Sequence, residues 1–140
     1  MVGVMNYRTC RVKHNPPESY GDCIRACVAS IMDSDDVPHT FDGRPPLEAW
    51  NDLRSWLKPF NYTIFATHFQ PEETIEDVFE FMDVVNPDGV YMLLCRTNGG
   101  DHCVVCRGGK KIHDPSMTPS KITAPPQTTG VYVILTISKI

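Results

Sequence analysis

The sequence predicts an α+β fold in which helices come first and pack on an antiparallel sheet built from the second half. Three observations carry this. Apolar residues recur at helical spacing in separate runs before residue 85. Short β-branched runs dominate after residue 89. Gly-Gly and Pro-Pro pairs punctuate those later runs as turns do. A chain of 140 residues, 41% of them hydrophobic, can bury a core, and one domain is expected over 1–140.

Residues 7–13 alternate weakly, with Cys10 and Val12 on one side and Thr9 and Arg11 on the other, a pattern compatible with a short strand. The loop from His14 to Gly21 is stiffened by Pro16 and Pro17. Asp22 can cap a helix, since its short side chain accepts hydrogen bonds from the first unpaired amides. Cys23–Met32 then reads as that helix, with Ala26, Cys27, Ser30 and Ile31 on one face, small enough to sit deep.

The polar stretch 33–46, broken by Pro38, Gly43, Pro45 and Pro46, is a loop. A second helix is predicted over Leu47–Leu57, its inner face marked by Leu47, Trp50, Leu53, Arg54 and Leu57, and Pro59 ends it. A strand follows at 62–67. Pro71 and Glu72-Glu73 are expected to open a third helix, with Ile75, Val78, Phe79 and Met82 inward and the acidic pair at the positive end of the dipole. Asn86-Pro87-Asp88-Gly89 is a turn. Strands are predicted near 90–96, 102–107, 110–114 and 130–137.

Composition excludes several functions. A formal charge of −4 leaves no basic footprint for nucleic acid. No apolar run approaches the ~18 residues that suggest a membrane span, so no membrane association is expected. The first residues lack the basic-then-apolar pattern of a secretory signal, which points to a cytoplasmic protein whose six cysteines stay reduced.

Among those cysteines, Cys23 stands out. It opens a helix behind Gly21-Asp22, where unpaired amides and the helix dipole favour the reactive thiolate. Cys27, one turn on between Ala26 and Val28, suits an inert buried thiol. His102 opens a later strand, and Asp114 lies twelve positions on, with Gly108-Gly109 near the middle. A three-residue loop, Arg107 to Gly109, would pair Cys106 with Lys110 and set His102 across from Asp114 on one face. A two-residue Gly108-Gly109 loop would pair His102 with Pro115, and a one-residue bulge would then restore the match. Either way the spacing allows a carboxylate to hold one imidazole nitrogen while the other meets a thiol. His113, the competing base, should point to the opposite face. His14, His39 and His68 lack a partner pattern.

The segment Asp22-Cys23-Ile24-Arg25-Ala26-Cys27-Val28-Ala29-Ser30-Ile31-Met32 resembles the nucleophile helix of papain-like cysteine peptidases. The likeness is closest to the leader-peptidase domains of bacterial bacteriocin exporters, which carry Asp-Cys-Gly-x-Ala-Cys-x-Ala there. His102-Cys103-Val104-Val105 and Asp114-Pro115 are similar to that family's histidine strand and its Asp-Pro. The resemblance implies a papain-like fold, Cys23 as nucleophile, His102 as general base, Asp114 as orienter, a peptide or protein substrate and no cofactor. Ile24 stands where the family has glycine. Pro17 stands where it has the glutamine of the oxyanion hole, so Asn15 and Ser19 are the side chains left to donate there, with the Cys23 amide beside them. The chemistry implied is attack on a peptide, isopeptide or related amide through a thioester, which hydrolysis and acyl transfer share. The alternatives are a papain-like binding module without turnover, and a zinc site built from Cys23, Cys27, Cys103 and Cys106.

Overall fold

The computed structural model describes residues 6–12, 21–41, 45–98, 100–117 and 121–140. Among these residues the chain forms three α-helices and a five-stranded antiparallel sheet, the α+β arrangement that the order of periodicities predicts. The helices are α1 (Cys23–Met32), α2 (Pro46–Leu57) and α3 (Ile75–Val85); a single 3₁₀ turn, Lys58–Phe60, follows α2. The strands are β1 (Tyr62–His68), β2 (Val90–Thr97), β3 (Gly100–Arg107), β4 (Lys110–His113) and β5 (Val133–Lys139). They lie in the order β1-β5-β2-β3-β4.

Strand alternation divides the core in two. Met92, Cys103, Val105, Val133 and Leu135 face α1 and α2, where they meet Cys27, Val28, Ala29, Leu53 and Leu57. Tyr91, Leu93, Val104, Cys106 and Ile134 face α3, where they meet Val78 and Met82. The sheet is therefore covered on both sides, which explains why β2, β3 and β5 read as nearly continuous apolar runs.

Several local expectations change. Residues 6–12 form no strand. Pro46 occupies the first turn of α2, and the buried face is Ala49, Leu53 and Leu57, while Leu47 is exposed. Helix α3 opens later than Pro71, because Thr74 and Asp77 make a reciprocal capping box, with Asp77 N–H on Thr74 Oγ1 at 3.2 Å and Thr74 N–H on Asp77 Oδ2 at 2.9 Å. Strand β5 starts at Val133 rather than 130, after Gly130 turns the chain at φ +70°.

The β3–β4 hairpin decides where the site residues point. Arg107 pairs with Lys110 across the two residues Gly108 and Gly109, so the three-residue loop is not used. Gly108 takes φ +52°, accepts the Tyr91 hydroxyl at 2.6 Å and gives its N–H to Gly89 O at 3.0 Å. Cys106 pairs with Lys111, but Val105 pairs with His113, an extra residue having been inserted at a bulge. The bulge flips the side-chain phase of everything after it and so returns Asp114 to the His102 side.

Candidate active site

The β2–β3 hairpin sets the backbone of the site. Thr97 and Gly100 close its turn as a hydrogen-bonded pair, and alternation makes Cys95 and His102 the next such pair. Cys103, paired with Leu94, therefore turns its N–H and C=O away from β2. Beyond the bulge, the β4 side would offer Cys103 the position of Pro115, which has no N–H to give. The ladder stops there, and α1 takes its place. Cys27 Sγ donates to Cys103 O at 3.4 Å, and the Cys103 N–H reaches the Cys23 thiol. The thiol at the start of α1 thus sits on the main chain of the residue after His102.

His102 is the third residue of β3, with its side chain 10% exposed. Its Nε2 lies 2.7 Å from Asp114 Oδ1 and 2.8 Å from Ser116 Oγ. A carboxylate oxygen only accepts, so these partners assign the proton to Nε2 and leave the lone pair on Nδ1. Asp114 is held in turn. Its side chain is 5% exposed, Oδ1 accepts the Ser116 N–H at 2.9 Å, and Lys111 Nζ is 3.9 Å from Oδ2. Ser116 and Asp114 share one ring nitrogen. They cannot act as nucleophile and orienter at opposite ends of the imidazole, so a serine triad is excluded.

His113 is occupied elsewhere, as strand alternation predicts. Its Nε2 donates to Arg8 O at 2.7 Å and its ring stacks on Tyr7 with centroids 4.5 Å apart.

Asp22 differs from its expected role. It precedes α1 without a side-chain cap bond. Its carboxylate instead accepts Arg25 Nε at 2.7 Å, the Arg11 N–H at 2.9 Å and the Val12 N–H at 3.0 Å. Burial alone would raise the Asp22 pKa, but Arg25 and the two amides outweigh it and hold it below the ordinary carboxylate value. The same cluster fastens the N-terminal segment over α1, helped by the Arg8 N–H on Ser30 Oγ at 2.8 Å and the Cys10 N–H on Pro115 O at 2.7 Å.

The thiol electrostatics also correct an expectation. Desolvation pushes the Cys23 thiol well above its ordinary pKa, with Cys103 and Cys10 adding to the rise, and the amides of Cys103 and Ile24 only partly oppose it. The residue keeps some exposed surface while the sulfur itself sits among protein atoms, so the helix start does not deliver a ready-made thiolate. Cys10 is pushed to about 12, first by burial and then by the Asp22 carboxylate.

All six cysteines are unpaired. The zinc alternative fails on geometry: Cys103 faces α1 while Cys106 faces α3, and the Cys27 thiol is spent on a carbonyl. Among the described residues no group of three His, Cys, Asp or Glu side chains could hold a metal ion. The oxyanion candidates Asn15 and Ser19 lie outside the described residues. Ser116 and Arg25 escaped sequence reasoning. For Ser116 a signal existed, because an aspartate commonly accepts the amide two residues on.

A cavity of about 210 Å³ opens on the α2 side of the sheet, lined by Trp50, Ile64, Leu94, Val133 and Leu135 among others. A larger one, about 500 Å³, lies between α3 and the β3–β4 turn, at the opposite end of β3 from His102. No helix among the described residues is long and apolar enough to cross a membrane. Compared with family models, curated proteins and solved structures, the chain matches none.

Proposed function

We propose that this chain is a papain-like cysteine hydrolase that cleaves a peptide, isopeptide or related amide bond through a thioester on Cys23. The single observation that carries the reading is the His102–Asp114 pair, 2.7 Å apart and nearly buried, with the Cys23 thiol against the next residue's amide. His102 keeps Nδ1 as its basic nitrogen, as a base facing a thiol requires. The raised thiol pKa favours a mechanism in which the proton leaves Cys23 as the bond to carbon forms, rather than one starting from a standing ion pair. His102 takes that proton and returns it to the leaving amine; Asp114 and Ser116 hold the ring through both steps.

The smaller cavity, about 210 Å³, touches this site only through Leu94, the cross-strand partner of Cys103; Cys23, His102 and Asp114 do not line it.

An electrophilic peptide that forms a covalent adduct tests this. The expected result is a mass increase on Cys23, absent in Cys23→Ala and slowed in His102→Ala. Equal labelling of Cys23 in wild type and His102→Ala would overturn the assignment of the base, and turnover by Cys23→Ala would overturn the whole reading. Selective labelling without turnover of any amide substrate would favour the binding-module alternative.

A further inference from the structure

The two outer strands of the sheet are finished differently. Strand β4 is four residues long, carries Lys110 and Lys111, and departs from regular pairing at the bulge. Short length, lysines and a bulge all discourage a foreign strand from adding to an edge. Strand β1 has none of these. Its seven residues, Tyr-Thr-Ile-Phe-Ala-Thr-His, include no Lys, Arg, Asp, Glu or Pro, and all seven pair with β5 in unbroken register.

The outer side of β1 can be assigned. Ile140 N–H bonds Asn61 O at 2.8 Å and Phe69 N–H bonds Tyr132 O at 2.9 Å, so the odd-numbered residues turn their main-chain groups toward β5. Tyr62, Ile64, Ala66 and His68 therefore present N–H and C=O outward. Among the described residues no other segment makes a backbone hydrogen bond to them. From Phe65 to His68 the strand is exposed.

We propose that this edge pairs with β1 of a second copy of the chain, antiparallel, about a two-fold axis at Phe65. The register is self-complementary. It sets Ile64 opposite Ala66 and Tyr62 opposite His68, so outward groups meet outward groups on both copies. Phe65, 51% exposed, meets Phe65 of the second copy at a closely spaced position. Thr63 and Thr67 flank it as cross-strand partners, and both pair types are favourable in antiparallel sheets. The strand brings no like charges together, because it carries none. The result is one sheet running through both copies. The edge also lines the smaller cavity, through Ile64, Phe65, Ala66 and His68, and the association is read without any step at Cys23.

Sedimentation velocity on the full chain tests it. A concentration-dependent dimer is expected below about 100 µM. Phe65→Lys would set a lysine against its own copy, and Ala66→Pro would remove an outward N–H without touching the β5 ladder. Each is expected to weaken the dimer at least about tenfold while far-UV circular dichroism stays native. A wild-type protein that stays monomeric through this range overturns the proposal, as does a dimer that survives both substitutions. If Ala66→Pro fails to fold, Phe65→Lys, at an exposed position, decides alone.

Discussion

At the scale of single residues, the site depends on which atom faces which. Asp114 and Ser116 both address Nε2 of His102, which fixes the tautomer and leaves the lone pair on Nδ1, the nitrogen that the proposed base would use. His102→Ala should therefore lower turnover by about 10²–10⁴, the usual reach of a positioned base, as read from kcat/KM on an amide substrate. Cys23 should show the pH behaviour of a desolvated thiol. Its alkylation by iodoacetamide should be slower at pH 7 than that of a small free thiol, and its rate should still rise above pH 9, because its pKa is raised. A plateau below neutrality would show a standing thiolate instead. Asp22 gives the opposite sign. Its folded pKa is depressed, so its stabilisation is complete above the ordinary carboxylate pKa of about 4 and is lost as pH falls through the folded value. Asp22→Asn should cost about 3–5 kcal/mol in urea unfolding at pH 7, since it leaves the buried Arg25 without its counter-charge. The meeting of His102 with Asp114 was legible from residue type and spacing. The contacts of Asp22 with Arg11 and Val12 were not, because they join segments whose proximity only the folded chain creates.

At the scale of elements, a two-glycine turn and one bulge decide whether His102 and Asp114 can meet. The alternation rule offered two registers for the β3–β4 hairpin and required a bulge in one of them; it could not choose, because glycine suits either turn. The structure takes the two-residue turn with the bulge, and its surroundings explain why: Gly108 sits at positive φ against the Pro87 carbonyl, with Tyr91 bonded to its oxygen. Gly108→Ala should destabilise by about 2 kcal/mol or more in a denaturant titration, as it adds a Cβ to a left-handed residue with no room for one. The helix boundaries that sequence missed have equally local causes. The Thr74–Asp77 box outcompeted Pro71 as the start of α3, and Pro46 entered α2 as a first-turn proline.

At the scale of the molecule, the six thiols are graded by depth. Cys27, Cys95, Cys103 and Cys106 are fully buried with pKa values raised by desolvation, while Cys10 and Cys23 keep some surface. Timed alkylation followed by mass spectrometry should modify Cys10 and Cys23 first and the other four only in denaturant. Modification of Cys106 together with Cys23 in native buffer would contradict the two-sided covering of the sheet. That covering was only half legible. Sequence order predicted helices on a sheet, but the assignment of α1 and α2 to one face and α3 to the other depends on β5 being threaded between β1 and β2. The described residues of the connection from β4 to β5 form no helix, so periodicity offers no signal for that placement.

The missing hydrogen on Pro115 has a spectroscopic consequence. Because the proline cannot complete the ladder, the Cys103 amide points at the sulfur of Cys23 and not at another peptide group. That one amide is a built-in gauge of the sulfur's condition. In a ¹⁵N-labelled sample its proton frequency should follow the titration of Cys23 and jump when the sulfur is acylated or capped. The state of the proposed nucleophile could then be followed without a chromogenic substrate.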